Sequence, residues 1–185
     1  EGIIHVANLG LDAMEVEFVR QVYLNEQTAA EAAKAADKAG IKLSVHAPYY
    51  INLNAVEPQK RRAGQAVLLK AAQVGSFAGA SGVVFHPGYY LKSTPEETFT
   101  LILKYLSEIE NELLETGSII KLMPETTGKL SQFGTLEEIL KLCNSLNNAI
   151  PCIDFAHLHA YQGLVNSYDE FSEVLSTIQN KLGKS

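Results

Sequence analysis

The chain has 185 residues, enough for one domain with a real core, and its 46% hydrophobic and 19% charged residues exclude a disordered polymer. A formal net charge of −6 argues against broad non-specific nucleic-acid binding, though not against a local basic rim. No apolar run approaches the roughly 18 residues of a membrane span, the start at Glu1 lacks a signal-peptide pattern, and Cys143 and Cys152 make no disulfide framework, so a cytoplasmic protein is expected.

Residues 1–10 read as the tail of a helix, because Ile3, Val6 and Leu9 recur at helical spacing and Gly10 can stop it. A strand lies within 11–20, where Met14, Val16 and Phe18 alternate with Glu15 and Glu17. Thr28 can cap a helix over 29–39, with Gly40 as its stop. The next strand is 41–46, and Asn52 and Asn54 fall in the loop after it. A helix covers 57–80, with Leu68, Leu69, Ala72 and Phe77 on its apolar face. The third strand is 82–86. Thr94 followed by Pro95 predicts a capped helix running to about residue 115. The fourth strand is 119–125, followed by a helix from 135 to about 144, and the fifth strand is 150–154. Ser167 or Asp169 caps a last helix, 170–182, which ends at Gly183.

Short apolar strands separated by helices are the pattern of parallel βαβ units. Strand centres near Val16, Val45, Val84, Lys121 and Ile153 repeat every 29 to 39 residues, as such units do. Two α/β architectures compete. A doubly wound sheet would normally show a glycine-rich phosphate loop after an early strand, and none is present. A parallel (β/α) barrel of the TIM type needs eight strands and about 250 residues. Residues 1–185 therefore read as a single, partial barrel domain of about five βα units.

The strand ends carry the chemistry. Three apolar runs exit into His46, His86 and Glu125, and a fourth into Asp154 with His157 three residues on. In a parallel sheet all these ends lie on one face. Two imidazoles and two carboxylates converging there make a mixed nitrogen and oxygen ligand set, suited to Zn²⁺ and open to Mn²⁺ or Fe²⁺. A carboxylate has two oxygens, so Glu125 could bridge two ions, with Asp154 on the second. His5 reads as a surface residue and His159 as neutral, Cys143 and Cys152 as core. The run Lys60-Arg61-Arg62 reads as a solvated face close enough to the His46 loop to meet a phosphate. No serine sits at a G-x-S-x-G elbow, which argues against covalent acyl transfer.

Ser44-Val45-His46-Ala47-Pro48-Tyr49-Tyr50-Ile51-Asn52-Leu53, Val84-Phe85-His86-Pro87-Gly88, Pro124-Glu125-Thr126-Thr127-Gly128-Lys129 and Cys152-Ile153-Asp154-Phe155-Ala156-His157 together resemble the endonuclease IV family. The resemblance runs from about Ala13 to the end. It implies a TIM barrel with up to three zinc ions at the strand ends, which cuts damaged double-stranded DNA on the 5′ side of an abasic site. By that resemblance His46, His86 and Glu125 bind the first zinc, Glu125 bridges to a second shared with Asp154, and His157 serves a third. The catalytic role falls on Glu125, which holds the spacing of two ions that activate water and neutralise charge on the phosphate. Tyr49, and less directly Arg20, are the expected substrate-binding residues.

The family's remaining ligands lie on later strands, and its first strand is also missing here. The sequence therefore reads as a portion of a longer polypeptide. An isolated piece would expose two sheet edges, with self-association or loss of activity as the expected result. Two other functions compete: a sugar isomerase or epimerase on a related metal-dependent barrel, and an inactive fragment that binds metal or a partner chain.

Overall fold

The computed structural model describes residues 1–163 and 165–183. Its centre is a parallel sheet in the order β1 (Ala13–Glu17), β2 (Lys42–His46), β3 (Gly82–Phe85) and β5 (Lys121–Pro124). The strands run in sequence order, each returning through a helix, as an arc of a TIM barrel does. The register aligns Glu17 with His46, His46 with Val84, and Phe85 with Pro124. The exits of β2, β3 and β5 are therefore level with one another.

Period-two alternation divides the sheet into two faces. Val16, Leu43, Val45, Val83, Phe85 and Leu122 are buried against the helices. Glu15, Lys42 and Ser44 belong to the opposite face, where Ser44 Oγ donates to Glu15 Oε2 at 2.7 Å. His46, His86 and Glu125 fall on that second face by parity, each two residues beyond a strand residue that faces away from the helix layer.

The helix layer follows from local signals. α1 (Gly2–Asn8) covers the start of the sheet. α2 (Glu26–Ala39) begins at Asn25, whose side chain accepts from the Thr28 N–H while the Thr28 hydroxyl accepts from the Asn25 N–H. Thr28 is thus the reciprocal partner in a capping box rather than the cap. Gly40, at φ 70°, ends α2 as expected.

α3 (Pro58–Phe77) stops three residues short of the expected end, because the chain turns at Ala78 and Gly79. That places Phe77 at the helix terminus, 47% exposed, rather than in the core beside Leu68 and Ala72. Gly75 lets α3 approach the sheet closely: a Cβ there would sit 2.7 Å from Ile120 Cδ1 and 2.8 Å from Val45 Cγ2. α4 (Pro95–Glu115) is capped by Thr94 and starts on proline, as the sequence predicts. α5 (Leu136–Ser145) is capped by Thr135 and α7 (Tyr168–Leu182) by Ser167, not Asp169.

Three features depart from the sequence expectation. Residues 150–154 take the place of a fifth strand but form only isolated bridges, Leu122 to Ala149 and Glu125 to Cys152. Backbone bonds flank the gap, from the Ile150 N–H to the Leu122 carbonyl and from the Cys152 N–H to the Pro124 carbonyl; between them Pro124 has no N–H to give to residue 150, so the ladder is interrupted there. Glu110, buried in α4, anchors the entry to this segment by accepting from the Asn148 N–H and from Asn147 Nδ2. Second, an eight-residue helix, α6 (Phe155–Gln162), follows directly, capped by Asp154. Third, the loops after β3 and β5 pair antiparallel as β4 (Gly88–Tyr89) and β6 (Gln132–Phe133).

That pairing belongs to a rigid set of loops around the strand exits. Asn52 Oδ1 accepts from the Asn54 and Tyr89 N–H groups. Asn54 Nδ2 donates to the carbonyls of Tyr89 and Tyr90. Only glycine fits at 88, where φ is 154° and a Cβ would stand 2.5 Å from Asn52 Oδ1. Arg61 points inward, donating from Nη1 to the carbonyls of Ala55 and Val56. Arg62 pairs with Glu108, and Lys60 with Glu57 at 3.0 Å. The basic run is therefore spent on loop structure and surface ion pairs.

Candidate metal centre

Glu125 is the hub of the site. It is 7% exposed, and both its oxygens face histidines. Oε2 lies 3.0 Å from His86 Nε2 and 3.3 Å from His46 Nε2. Oε1 lies 3.8 Å from His157 Nδ1, which is in turn 3.7 Å from Asp154 Oδ2. Two groups of metal-ligating type result, His46 with His86 and Glu125, and Glu125 with Asp154 and His157. They share Glu125. The rings of His46, His86 and His157 stand 5.8 and 5.4 Å apart in sequence along one side of the carboxylate.

The hydrogen bonds decide which ring nitrogens are free. His46 Nδ1 lies 2.7 Å from the Ala47 carbonyl, an oxygen that can only accept, so Nδ1 carries a proton. In the neutral ring Nε2 is then a bare lone pair aimed at a carboxylate oxygen. Two acceptors at 3.3 Å repel unless a proton or a cation stands between them. His157 repeats the arrangement, with Nδ1 2.9 Å from the Thr126 carbonyl. Its Nδ1 is therefore occupied, and Nε2 is its free donor atom. His86 Nδ1 is buried with no partner among the described residues, so its ring is oriented by Nε2 alone. This donor set fits a divalent cation such as zinc or manganese: three imidazoles, those of His46 and His157 with the tautomer fixed by a carbonyl, around a shared carboxylate.

Without a cation the conflict is met by a proton. Burial opposes a charge on His46, but the Glu125 carboxylate and the Ala47 carbonyl outweigh it, and the pKa rises from 6.5 to about 9. Burial holds His86 below its ordinary value, opposed by Glu125 and reinforced by the charges of His46, His157 and Lys129. A raised folded pKa stabilises fully below 6.5, and that stabilisation is lost as pH climbs through about 9. The metal-free protein is accordingly expected to melt at progressively lower temperature between those limits. Thermal melts of chelator-treated protein across this range check it, and the slope should flatten in Glu125→Gln. Burial pushes the thiols of Cys143 and Cys152 up to about 12, so neither offers a thiolate.

Thr126 connects the two groups. It is fully buried; its Oγ1 accepts from the Asp154 N–H at 2.9 Å, and its own N–H donates to the Cys152 carbonyl at 3.1 Å. Together with the carbonyl bond to His157, these contacts set Asp154 and His157 relative to Glu125. Asp154 also caps α6, accepting from the His157 N–H through Oδ1 at 2.8 Å, which leaves Oδ2 toward His157. Thr126 was not among the residues singled out by sequence. Its signal was its place, directly after the hub carboxylate.

Tyr49 is 55% exposed on the clamped loop after β2. It stands between two hollows. One, of about 320 Å³, is lined by His86, His157, Lys129 and Gln132 among others. The other, about 630 Å³, lies between Tyr50, Lys60 and α3. Arg20 is exposed beyond β1 and lines neither hollow. Glu17, on β1, is level with His46 and adds to the field that favours its protonation.

A model of the xylose isomerase-like TIM barrel family matches residues 3–183. The chain belongs to that family. An uncharacterized protein of Methanocaldococcus jannaschii is 43% identical over 177 residues, covering 95% of this chain and 63% of that protein. A probable endonuclease 4 of Mycoplasma genitalium is 29% identical over 145 residues, covering 76% of this chain and 48% of that protein. Endonuclease IV from Thermus thermophilus superposes with a TM-score of 0.74 at 22% identity, over 98% of this chain and 66% of that one. D-psicose 3-epimerase, solved with D-fructose, superposes with 0.73 at 19%, over 94% and 63%. These structural likenesses show the barrel fold. The chain spans about half to two thirds of the length of the relatives it matches. Among the described residues no helix is long and apolar enough to cross a membrane.

Proposed function

We propose that the chain carries the metal centre of a DNA-repair phosphodiesterase, which hydrolyses the backbone on the 5′ side of abasic sites. One observation carries the reading: Glu125 is shared by two ligand groups, through Oε2 with His46 and His86 and beside Oε1 with Asp154 and His157. A carboxylate shared by two ions is the arrangement that in-line displacement at phosphorus uses. The relatives named probable endonuclease 4 support the same substrate class.

His46, His86 and Glu125 would hold one ion, and Glu125 with Asp154 a second. His157 offers Nε2 to a third. When bound, the metal supplies Lewis-acid chemistry, polarising a phosphoryl oxygen and making water acidic near neutral pH. The protein does the rest. The carbonyls of Ala47 and Thr126 fix the tautomers of His46 and His157. Burial of Glu125 excludes bulk water from the shared oxygens. Tyr49 presents an aromatic face at the rim, where a base or exposed sugar of damaged DNA can stack.

The test is a duplex carrying one abasic analogue, incubated with zinc- or manganese-loaded protein with and without chelator. Chelator-sensitive incision that leaves a 3′-hydroxyl is expected. Absence of incision with metal fully bound would sink the reading and leave a metal-binding piece without this activity. The likeness to D-psicose 3-epimerase favours a second reading, proton transfer on a ketose at the first ligand group alone. It predicts epimerisation that is indifferent to DNA and to Asp154→Asn.

A further inference from the structure

The loop after Glu125 carries polar groups that neither metal group uses. Lys129 and Gln132 line the 320 Å³ cleft beside His86 and His157. The backbone of Lys129 is fixed: its N–H donates to Thr127 Oγ1 at 3.2 Å, and its carbonyl accepts from the Gln132 N–H at 3.0 Å. Gly128 presses the loop onto α6, where a Cβ would sit 3.3 Å from Ala160 Cβ and 3.4 Å from His157 Cδ2. The loop therefore holds Lys129 beside His157.

The side chains point to an anion. Lys129 is exposed and, lining the cleft, makes no ion pair within 4.0 Å among the described residues. Gln132 is only 6% exposed. Its Oε1 accepts from the Thr127 hydroxyl, and its Nε2 has no hydrogen-bond partner among the described residues. The Nε2 atom is not sealed off from solvent, so an acceptor entering the cleft can reach it. No carboxylate is among the described residues lining the cleft. An ammonium and an amide N–H₂, with no competing anion, match phosphate oxygens. An uncharged ketose would gain little from the ammonium, and its hydroxyls need acceptors as well as donors.

We infer that Lys129 and Gln132 form a phosphate subsite, which holds a backbone phosphate next to the one at the metal centre. The identity of the ligand rests on the phosphodiesterase reading; the anion chemistry does not. Lys129 acts as a point charge that sets register and affinity, and Gln132 supplies direction.

The experiment is done on metal-loaded protein. Inorganic phosphate is titrated by calorimetry, and binding of an uncleavable abasic duplex is followed against salt, for wild type, Lys129→Gln and Lys129→Arg. Lys129→Gln is expected to weaken phosphate binding about tenfold and to lower the slope of log affinity against log salt by about 1. KM should rise while kcat and metal content stay unchanged, and Lys129→Arg should retain most of the binding. Wild-type phosphate affinity and salt slope in Lys129→Gln would overturn the subsite, as would loss of bound metal in that variant. The two readings separate: phosphate binding through Lys129 without incision keeps the subsite and removes the reaction, while incision with no Lys129 dependence does the reverse.

Discussion

Glu125→Gln is expected to strip the protein of nearly all bound metal, while Asp154→Asn removes only part of it. The asymmetry follows from geometry. Glu125 Oε2 is the oxygen on which His46 and His86 converge, and Oε1 faces the Asp154 and His157 pair. A glutamine keeps the shape but loses the charge, so both groups lose the anion they share. Asp154 belongs to one group only, and its loss leaves His46, His86 and Glu125 in place. Outer partners of metal ligands typically cost about 10–100-fold when removed, so removal of a direct, shared ligand should cost at least about 100-fold in affinity and activity. Elemental analysis of both variants after dialysis against trace metal reads the result. Equal metal loss in the two would remove the bridging role from Glu125. The fold should survive Glu125→Gln, because the amide can still hydrogen-bond a histidine.

The grouping of the candidate ligands was legible in sequence because the rules behind their placement are local. Strand alternation and the prolines after His46, His86 and before Glu125 mark where each strand stops, and parallel topology brings the stops to one face. The family resemblance could therefore be read from four short stretches. What escaped depends on contacts between distant residues. The two-residue pairing of β4 with β6 has no periodicity to detect. The inward turn of Arg61 toward its own loop makes a basic run look like a phosphate site when only its sequence is seen. The segment 150–154 has the apolar character of a strand, but Pro124 on the neighbouring β5 has no N–H to complete the ladder. Asp154-Phe155-Ala156-His157 reads as a ligand pair, and the same spacing is a helix cap: aspartate at the cap accepts from the N–H three residues on. Both readings describe one geometry, since capping is what points the remaining aspartate oxygen along the helix start.

Thr126→Val is expected to release the metal served by Asp154 while sparing the one served by His46 and His86. Valine matches threonine in shape but cannot accept from the Asp154 N–H, so that bond is lost at a cost of about 0.5–1.5 kcal/mol. The penalty falls on the cap of α6, because Asp154 is the residue whose backbone Thr126 holds. Asp154 and His157 then shift together relative to Glu125. The first group feels little, since His46 is fixed by Ala47 and both His46 and His86 meet Glu125 through Oε2 rather than Oε1. Thr126→Ser keeps the hydroxyl and should behave as wild type, which separates loss of the hydrogen bond from any change in packing. Metal stoichiometry by elemental analysis, with melting temperature alongside, distinguishes the outcomes. A valine variant that keeps full stoichiometry would show that α6 holds Asp154 in place without Thr126. Loss of both ions would show instead that the two ligand groups move as one unit through Glu125.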